Sequence, residues 1–242
     1  MCTVTFIPGK DRYFITSNRD EKMLRKPAIA PQPYVINGNT LVYPKDADAG
    51  GTWIAMNENG NAAVLLNGAF IKHVSLSTYK LSRGLVFADI ISAAMPVRFF
   101  MHQELVQIEP FTIIILEQNS LYECRWDGSK KHCRQLPKYR SYIWSSVTLY
   151  DDETIQKREQ WFAKWLNTHL HPTQEEILRF HHFAGEGDSG NDICMNRDNK
   201  MLTVSITGME LGMDSGTIWY NDLKTDKRYK EKLVFANEIA AI

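Results

Sequence analysis

The chain reads as an α+β protein, and three observations carry that reading. Short β-branched and aromatic runs separated by Gly, Asn and Pro turns fill the first third, which is hairpin patterning and so implies antiparallel sheet. Two later stretches, residues 77–108 and 153–183, carry apolar residues at helical spacing. Strand-like runs return between and after them. The order is strands, two helices, strands, two helices, strands. Two antiparallel sheets with helices outside satisfy it, as one domain over residues 1–242.

Each element has its local reason. Residues 3–7 are rich in β-branched and aromatic side chains, Pro8-Gly9-Lys10-Asp11 is turn chemistry, and residues 12–16 return as a second strand. Residues 34–36 and 40–43 flank Asn37-Gly38, a strong hairpin signal. Residues 46–51 form a loop, 52–56 a strand, Asn57-Glu58-Asn59-Gly60 a tight turn, and 62–66 its partner strand. Residues 77–94 place Leu81, Leu85, Val86, Ile90, Ile91 and Ala94 on one helical face; Pro96 punctuates, and 97–108 reads as a second helix. Strands follow at 111–116, 120–125, 131–135 and 141–147. Asp151 or Asp152 caps a long helix over 153–170, with Trp161, Phe162, Trp165 and Leu166 on its apolar face. Pro172-Thr173 opens another helix reaching Phe183. Strands at 203–207, 217–220 and 227–236 complete the chain.

Composition excludes several function classes. Lys plus Arg and Asp plus Glu each number 28, so no global field invites nucleic acid or an anionic membrane. The apolar run at residues 113–116, even with its neighbours, is far short of a membrane span. No basic stretch followed by an apolar one opens the chain, which points to a cytoplasmic protein. The four cysteines match no zinc spacing, and residues 185–190 lack the Lys of a phosphate loop. Cys124 and Cys133 flank a hairpin tip, Trp126-Asp127-Gly128-Ser129, and read as two reduced thiols that would face each other. His169, His171, His181 and His182 gather near a helix junction and read as solvated helix-end residues rather than metal or haem ligands.

The first twenty-one residues carry the chemistry. Removal of Met1 would leave Cys2 with a free α-amino group, so one residue would hold both nucleophile and base. A free thiol titrates near ~8.5 and an α-amino group near ~7.7–8.0, so modest tuning poises both at neutral pH. The return strand delivers Asn18, Arg19 and Asp20 close to Cys2. Arg19 would lower the thiol pKa and Asp20 would hold the amine, unless the two form a structural ion pair instead.

Asn18-Arg19-Asp20-Glu21 behind an N-terminal Met-Cys resembles the NRDE family, also called the Transport and Golgi organisation protein 2 family, a branch of the N-terminal nucleophile (Ntn) hydrolases. Residues 48–53, the stretch from Gly60 through Ala63 to Asn67, and Ser82-Arg83-Gly84 extend the resemblance over residues 1–90. It implies a four-layer αββα sandwich. Met56-Asn57-Glu58-Asn59-Gly60 with Leu66-Asn67 is similar to bile salt hydrolase and penicillin V acylase relatives, in which that asparagine helps build the oxyanion hole; a simple Asn-Gly turn is the other reading. Trp53 is core or pocket wall, and Ser82 is a helix cap or part of an anion site. Where the family tends to carry Ser-Asn, this chain has Ser145-Ser146, and Ser146 still offers a donor. Arg158 on the long helix matches a family arginine, and Ser205 and Thr207 fall where the family has hydroxyl residues.

The resemblance therefore implies a Cys2 amidohydrolase acting on a linear amide C–N bond. Cys2, Arg19, Asp20 and Asn67 would be catalytic, and Asn18, Trp53, Ser146 and Arg158 would bind substrate. No metal or organic cofactor is required. The rival is a non-catalytic carrier of haem or an acyl compound on the same scaffold.

Overall fold

The computed structural model describes residues 3–76 and 78–236; Met1, Cys2 and Ser77 lie outside the described residues. The first half of the chain gives β1 (Thr3–Pro8), β2 (Tyr13–Lys22), β3 (Ile29–Ile36), β4 (Asn39–Lys45), β5 (Ile54–Asn57), β6 (Ala62–Asn67), α1 (Arg83–Ser92) and α2 (Pro96–His102). Then come β7 (Phe111–Glu117), β8 (Ser120–Trp126), β9 (Lys131–Leu136), β10 (Tyr142–Ser145), α3 (Asp152–Leu166) and α4 (Gln174–Phe183). The chain closes with β11 (Asn196–Arg197), β12 (Met201–Leu211), β13 (Ser215–Asp222) and β14 (Lys227–Val234).

Two antiparallel sheets result. The first has the order β10–β1–β2–β12–β13–β14, with β11 on β12; the second runs β3 to β9 in sequence order. Helices α1 and α2 pack on the second sheet against β5 to β8, while α3 and α4 cover the first against β10, β2 and β12. The layers are therefore helix, sheet, sheet, helix, as the resemblance implied. Between the sheets lies the main core, where Val4, Phe6, Ile15, Met209 and Ile218 of one sheet meet Val42, Met56, Val64 and Ile114 of the other. A smaller core of Ile7, Phe14, Phe162, Ile177, Phe180 and Ile193 joins the first sheet to α3 and α4. Each such side chain contributes roughly 1.5–3 kcal/mol on burial.

Local chemistry explains the boundaries. Asn37 and Gly38 both take positive φ, 51° and 80°, the geometry a two-residue hairpin demands. Thr173 caps α4 in a full capping box with Glu176, and the Asp151 side chain accepts from Thr154 N–H at the start of α3. The helix expected over 77–94 begins only after Ser82, whose hydroxyl accepts from Leu85 N–H. The helix expected over 97–108 stops at His102, because the chain turns extended at Gln103 and left-handed at Gln107. Leu105 and Ile108 keep their burial from a loop instead. Likewise α3 ends at Leu166, short of the expected residue 170.

Candidate functional site

Strand alternation on β2 decides where each residue of the Asn18-Arg19-Asp20 string goes. Ile15 packs between the sheets, and Arg19 projects toward that side. Phe14, Thr16 and Asn18 face the α3–α4 layer, where Asn18 meets His181 and Thr16 accepts from Gln174. Asp20 follows that parity toward Tyr150. Arg19 and Asp20 are neighbours in sequence on opposite faces of one sheet, so they form no ion pair with each other.

Arg19 opens onto a cavity of about 450 Å³ whose walls also include Trp53, Leu65, Asn67, Leu81, Arg83 and Leu85. Its side chain is 3% exposed. The guanidinium pairs with Asp46 and stacks 4.6 Å over the Trp53 ring. Asp46 also accepts from Arg25 at 3.0 Å and from the Asp48 and Ala49 N–H groups at 2.9 and 2.7 Å. Burial alone would raise the Asp46 carboxyl, but the Ala49 N–H, Arg19 and Arg25 together hold it below the ordinary carboxylate value. Trp53 is buried, and its Nε1–H has no hydrogen-bond partner among the described residues. It belongs both to the core and to the cavity wall.

Gly51 places the first turn of α1 at this cavity. A Cβ on Gly51 would lie 2.4 Å from the Gly84 carbonyl carbon, so only glycine admits the contact. Thr52 N–H donates to Gly84 O across the same junction. Ser82 is a helix cap here, and Arg83 pairs with Glu109 at 3.0 Å.

Asn67 ends β6. Gly68 follows at φ 82° and donates its N–H to Pro110 O at 3.0 Å, which stops the strand. The Ser146 hydroxyl donates to Asn67 O at 2.9 Å, pinning the Asn67 main chain from the end of β10. Among the described residues, the Asn67 side-chain amide has no hydrogen-bond partner. An uncommitted amide on a cavity wall is a donor ready for an oxygen ligand.

A second set of residues grips the start of β1. Thr3 pairs with Asn18 on one side and with Ser145 on the other. Arg158, fully buried, hydrogen-bonds the Thr3 hydroxyl and the carbonyls of Asn191 and Asp192. It stacks 3.6 Å over Tyr150. The Tyr150 hydroxyl donates to Asp20 at 2.6 Å, and Thr203 donates to the other oxygen at 2.5 Å. One chain of contacts thus runs Thr3–Arg158–Tyr150–Asp20. The charged groups that matter here are buried with partners, as burial of charge requires.

Asn18 is committed elsewhere. Its amide N–H groups donate to the carbonyls of His181 and Ile193 at 3.0 and 2.8 Å. Its oxygen is 2.6 Å from His181 Nδ1, which assigns the proton to Nδ1 because an amide oxygen only accepts. Nε2 then accepts from the Thr5 hydroxyl at 2.7 Å. His181 is fully buried, and burial, helped by nearby Arg158, pushes it down to about 3. The solvated reading of His181 is thereby corrected: it is a neutral core residue joining α4 to β1 and β2.

The structure therefore gathers Arg19, Trp53 and Asn67 at one cavity, with Ser146 behind Asn67. It sets Asp20 and Arg158 behind the start of β1, and Asn18 beneath α4. Cys2 lies outside the described residues and is covalently next to Thr3. Sequence reading missed Asp46, Tyr150 and Thr203, none of which carries a local motif, and took His181 for a solvated residue. Among the described residues, no group of three or more His, Cys, Asp or Glu is placed to hold a metal ion, and no helix is long and apolar enough to cross a membrane.

Residues 1–204 match the family model described as Transport and Golgi organisation 2. A comparison with curated proteins returns no match. Among solved structures, the fold is similar to a Caenorhabditis elegans N-acylethanolamine-hydrolyzing acid amidase ortholog, with TM-score 0.59 and 14% identity over 86% of this chain and 92% of that one. It is similar to the penicillin V acylase of Agrobacterium tumefaciens, with TM-score 0.56 and 11% identity over 95% and 85%. The C2A mutant of the conjugated bile acid hydrolase of Clostridium perfringens gives 0.57 and 12% over 96% and 92%. At these identities the likeness is one of fold.

Proposed function

This chain belongs to the Transport and Golgi organisation 2 family, and on that premise we propose that it hydrolyses a linear amide C–N bond with Cys2 as an N-terminal nucleophile. The observation that carries the reading is the Asn67 amide, which has no hydrogen-bond partner among the described residues, on the wall of the cavity that Arg19 also lines. The fold neighbours support it, since the three named above are an amidase, an acylase and a hydrolase.

The chemistry follows from the residues. Once Met1 is removed, the Cys2 amine takes the thiol proton and the sulfur attacks the amide carbonyl carbon. The carbonyl oxygen gains charge, and the Asn67 N–H stabilises it, an effect worth roughly 3–4 kcal/mol for one such donor. The amine returns the proton to the departing nitrogen, the C–N bond breaks, and a thioester remains. Water, deprotonated by the same amine, then releases the acid and restores the thiol. Asp20, fixed by Tyr150 and Thr203, orients the amine. Arg19, fixed by Asp46, favours thiolate. Trp53, with Leu65, Leu81 and Leu85, receives the acyl portion, and Ser146 and Arg158 hold the surrounding main chain in place. Asn18 ties β2 to α4 and so sets the register beside Thr3.

A panel of linear N-acyl amides tests this, together with the intact mass of the protein. Hydrolysis that disappears in Cys2→Ala, with Met1 absent from the native mass, supports the reading. Retention of Met1, or activity unchanged in Cys2→Ala, overturns it. The carrier reading draws on the half-exposed Leu81 and Leu85 at the cavity, which suit an acyl chain without any reaction. In that case Cys2→Ala binds the acyl compound as well as wild type, and neither protein hydrolyses it.

A further inference from the structure

Cys124 and Cys133 stand directly opposite each other on β8 and β9, with their sulfur atoms 3.0 Å apart. Both are free thiols; Cys124 is buried and Cys133 is exposed. Strand β9 is the outer edge of its sheet, so Cys133 meets solvent while Cys124 lies in the core beneath it. The hydrogen bond between them divides their acidity. It lowers the Cys133 thiol, and it pushes the Cys124 thiol up, with burial adding to the rise. An exposed thiol that ionises readily, backed by a buried thiol within reach, is the division of labour that exchange with a disulfide requires. Beside the strand is a cavity of about 330 Å³ lined by Phe70, Glu123, Arg125, His132, Cys133 and Arg134, in which Glu123 pairs with both arginines.

We propose that Cys124 and Cys133 form a reversible thiol–disulfide site that reacts with small disulfides such as glutathione disulfide. The Cys133 thiolate attacks one sulfur of the small disulfide, and the first small thiolate leaves and takes up the proton that Cys133 had lost. Cys124 then attacks the Cys133 sulfur in the mixed disulfide. The second small thiolate leaves, and the Cys124 proton passes to it. The protein loses two electrons and two protons, and one small disulfide becomes two small thiols. The reverse sequence restores the dithiol.

Peptide mapping of the full chain tests the site. Trypsin cuts after Arg125, Lys130, Lys131 and Arg134, so the two cysteines fall in separate peptides unless a disulfide joins them. After incubation with glutathione disulfide and quenching by alkylation, wild type yields the joined peptides, loses alkylation at Cys124 and Cys133 and carries no glutathione on either. Excess reduced glutathione reverses this. Cys124→Ser retains glutathione on Cys133, while Cys133→Ser leaves Cys124 reduced. Alkylation of both Cys124 and Cys133 in treated wild type overturns the proposal. So does glutathione retained on wild-type Cys133 at the level seen in Cys124→Ser, or capture of Cys124 in Cys133→Ser.

Discussion

The Ser146 hydroxyl holds the main-chain carbonyl of Asn67 at 2.9 Å, joining the end of β10 in one sheet to the end of β6 in the other. The contact crosses between the sheets at the point where the Asn67 amide meets the cavity. Ser146 is buried and Asn67 half-buried, so replacing Ser146 by alanine leaves a partly shielded acceptor without this donor. Ser146→Ala is expected to cost about 1 kcal/mol of stability, read as a lower urea midpoint at unchanged slope. Its effect on amide hydrolysis should be smaller than that of removing Asn67 itself.

Asn67→Ala removes the proposed oxyanion donor and no core contact. The expected loss is about 10²–10³ in kcat with a lesser change in KM, measured by steady-state kinetics on whichever amide is turned over best. A fall in KM-dependent binding with unchanged kcat would place Asn67 in substrate recognition and not at the oxyanion.

His181 makes stability pH-dependent. Folded, it takes up a proton only below about 3; unfolded, it does so from its ordinary value of 6.5. The neutral folded form therefore contributes fully above pH 6.5. As pH falls through the window from 6.5 to about 3, the unfolded state binds the extra proton, and stability is lost at up to about 1.4 kcal/mol per pH unit. Urea titrations at a series of pH values should show a shallower acid slope for His181→Gln than for wild type.

Arg158→Leu should be the most damaging of these changes. It strips donors from the Asn191 and Asp192 carbonyls and from the Thr3 hydroxyl, each buried acceptor costing about 1–3 kcal/mol when left unmade. Arg158→Lys should recover only part of the loss, because an ammonium lacks the planar fork that serves all three and lies on Tyr150. Thermal melts of the three proteins give the ranking.

Gly51→Ala tests how closely the cavity depends on its glycine junction. The added methyl meets main-chain atoms of Gly84 and Leu85, which cannot move aside as a side-chain tip would. A lower melting temperature together with weaker binding of any cavity ligand is expected, since the first turn of α1 is part of the wall.

Much of this was legible from residues alone. The Asn37-Gly38 hairpin, the Thr173 cap and the pairing of Cys124 with Cys133 each rest on local chemistry that a sequence displays. The helix ends after residues 102 and 166 were not legible, because the apolar residues beyond them are buried by loops or left outside, and spacing does not distinguish these. In the site, the Asn18-Arg19-Asp20 string was visible, and its alternation follows from the strand. The partners were not. Asp46, Tyr150, Thr203 and His181 come from four separate segments, and only the folded sheet brings them to β2. His181 was misread as solvated because it lies in the last turn of its helix beside another histidine, while the face of α4 it occupies is set by Ile177 and Phe180.

The pairing of β2 with β12 continues past the stretch of family likeness. That likeness ends at residue 204, yet β12 pairs with β2 from Met201 to Leu211, and β13 and β14 lie beyond it. A fragment cut at that boundary would leave the strand bearing Arg19 as a raw border of the sheet, deprived of most of its hydrogen-bonding neighbour and prone to associate with other chains. Expression boundaries drawn from homology alone would sever this support; carrying the chain through Phe235, which packs against Gly60 and Gly216, preserves it.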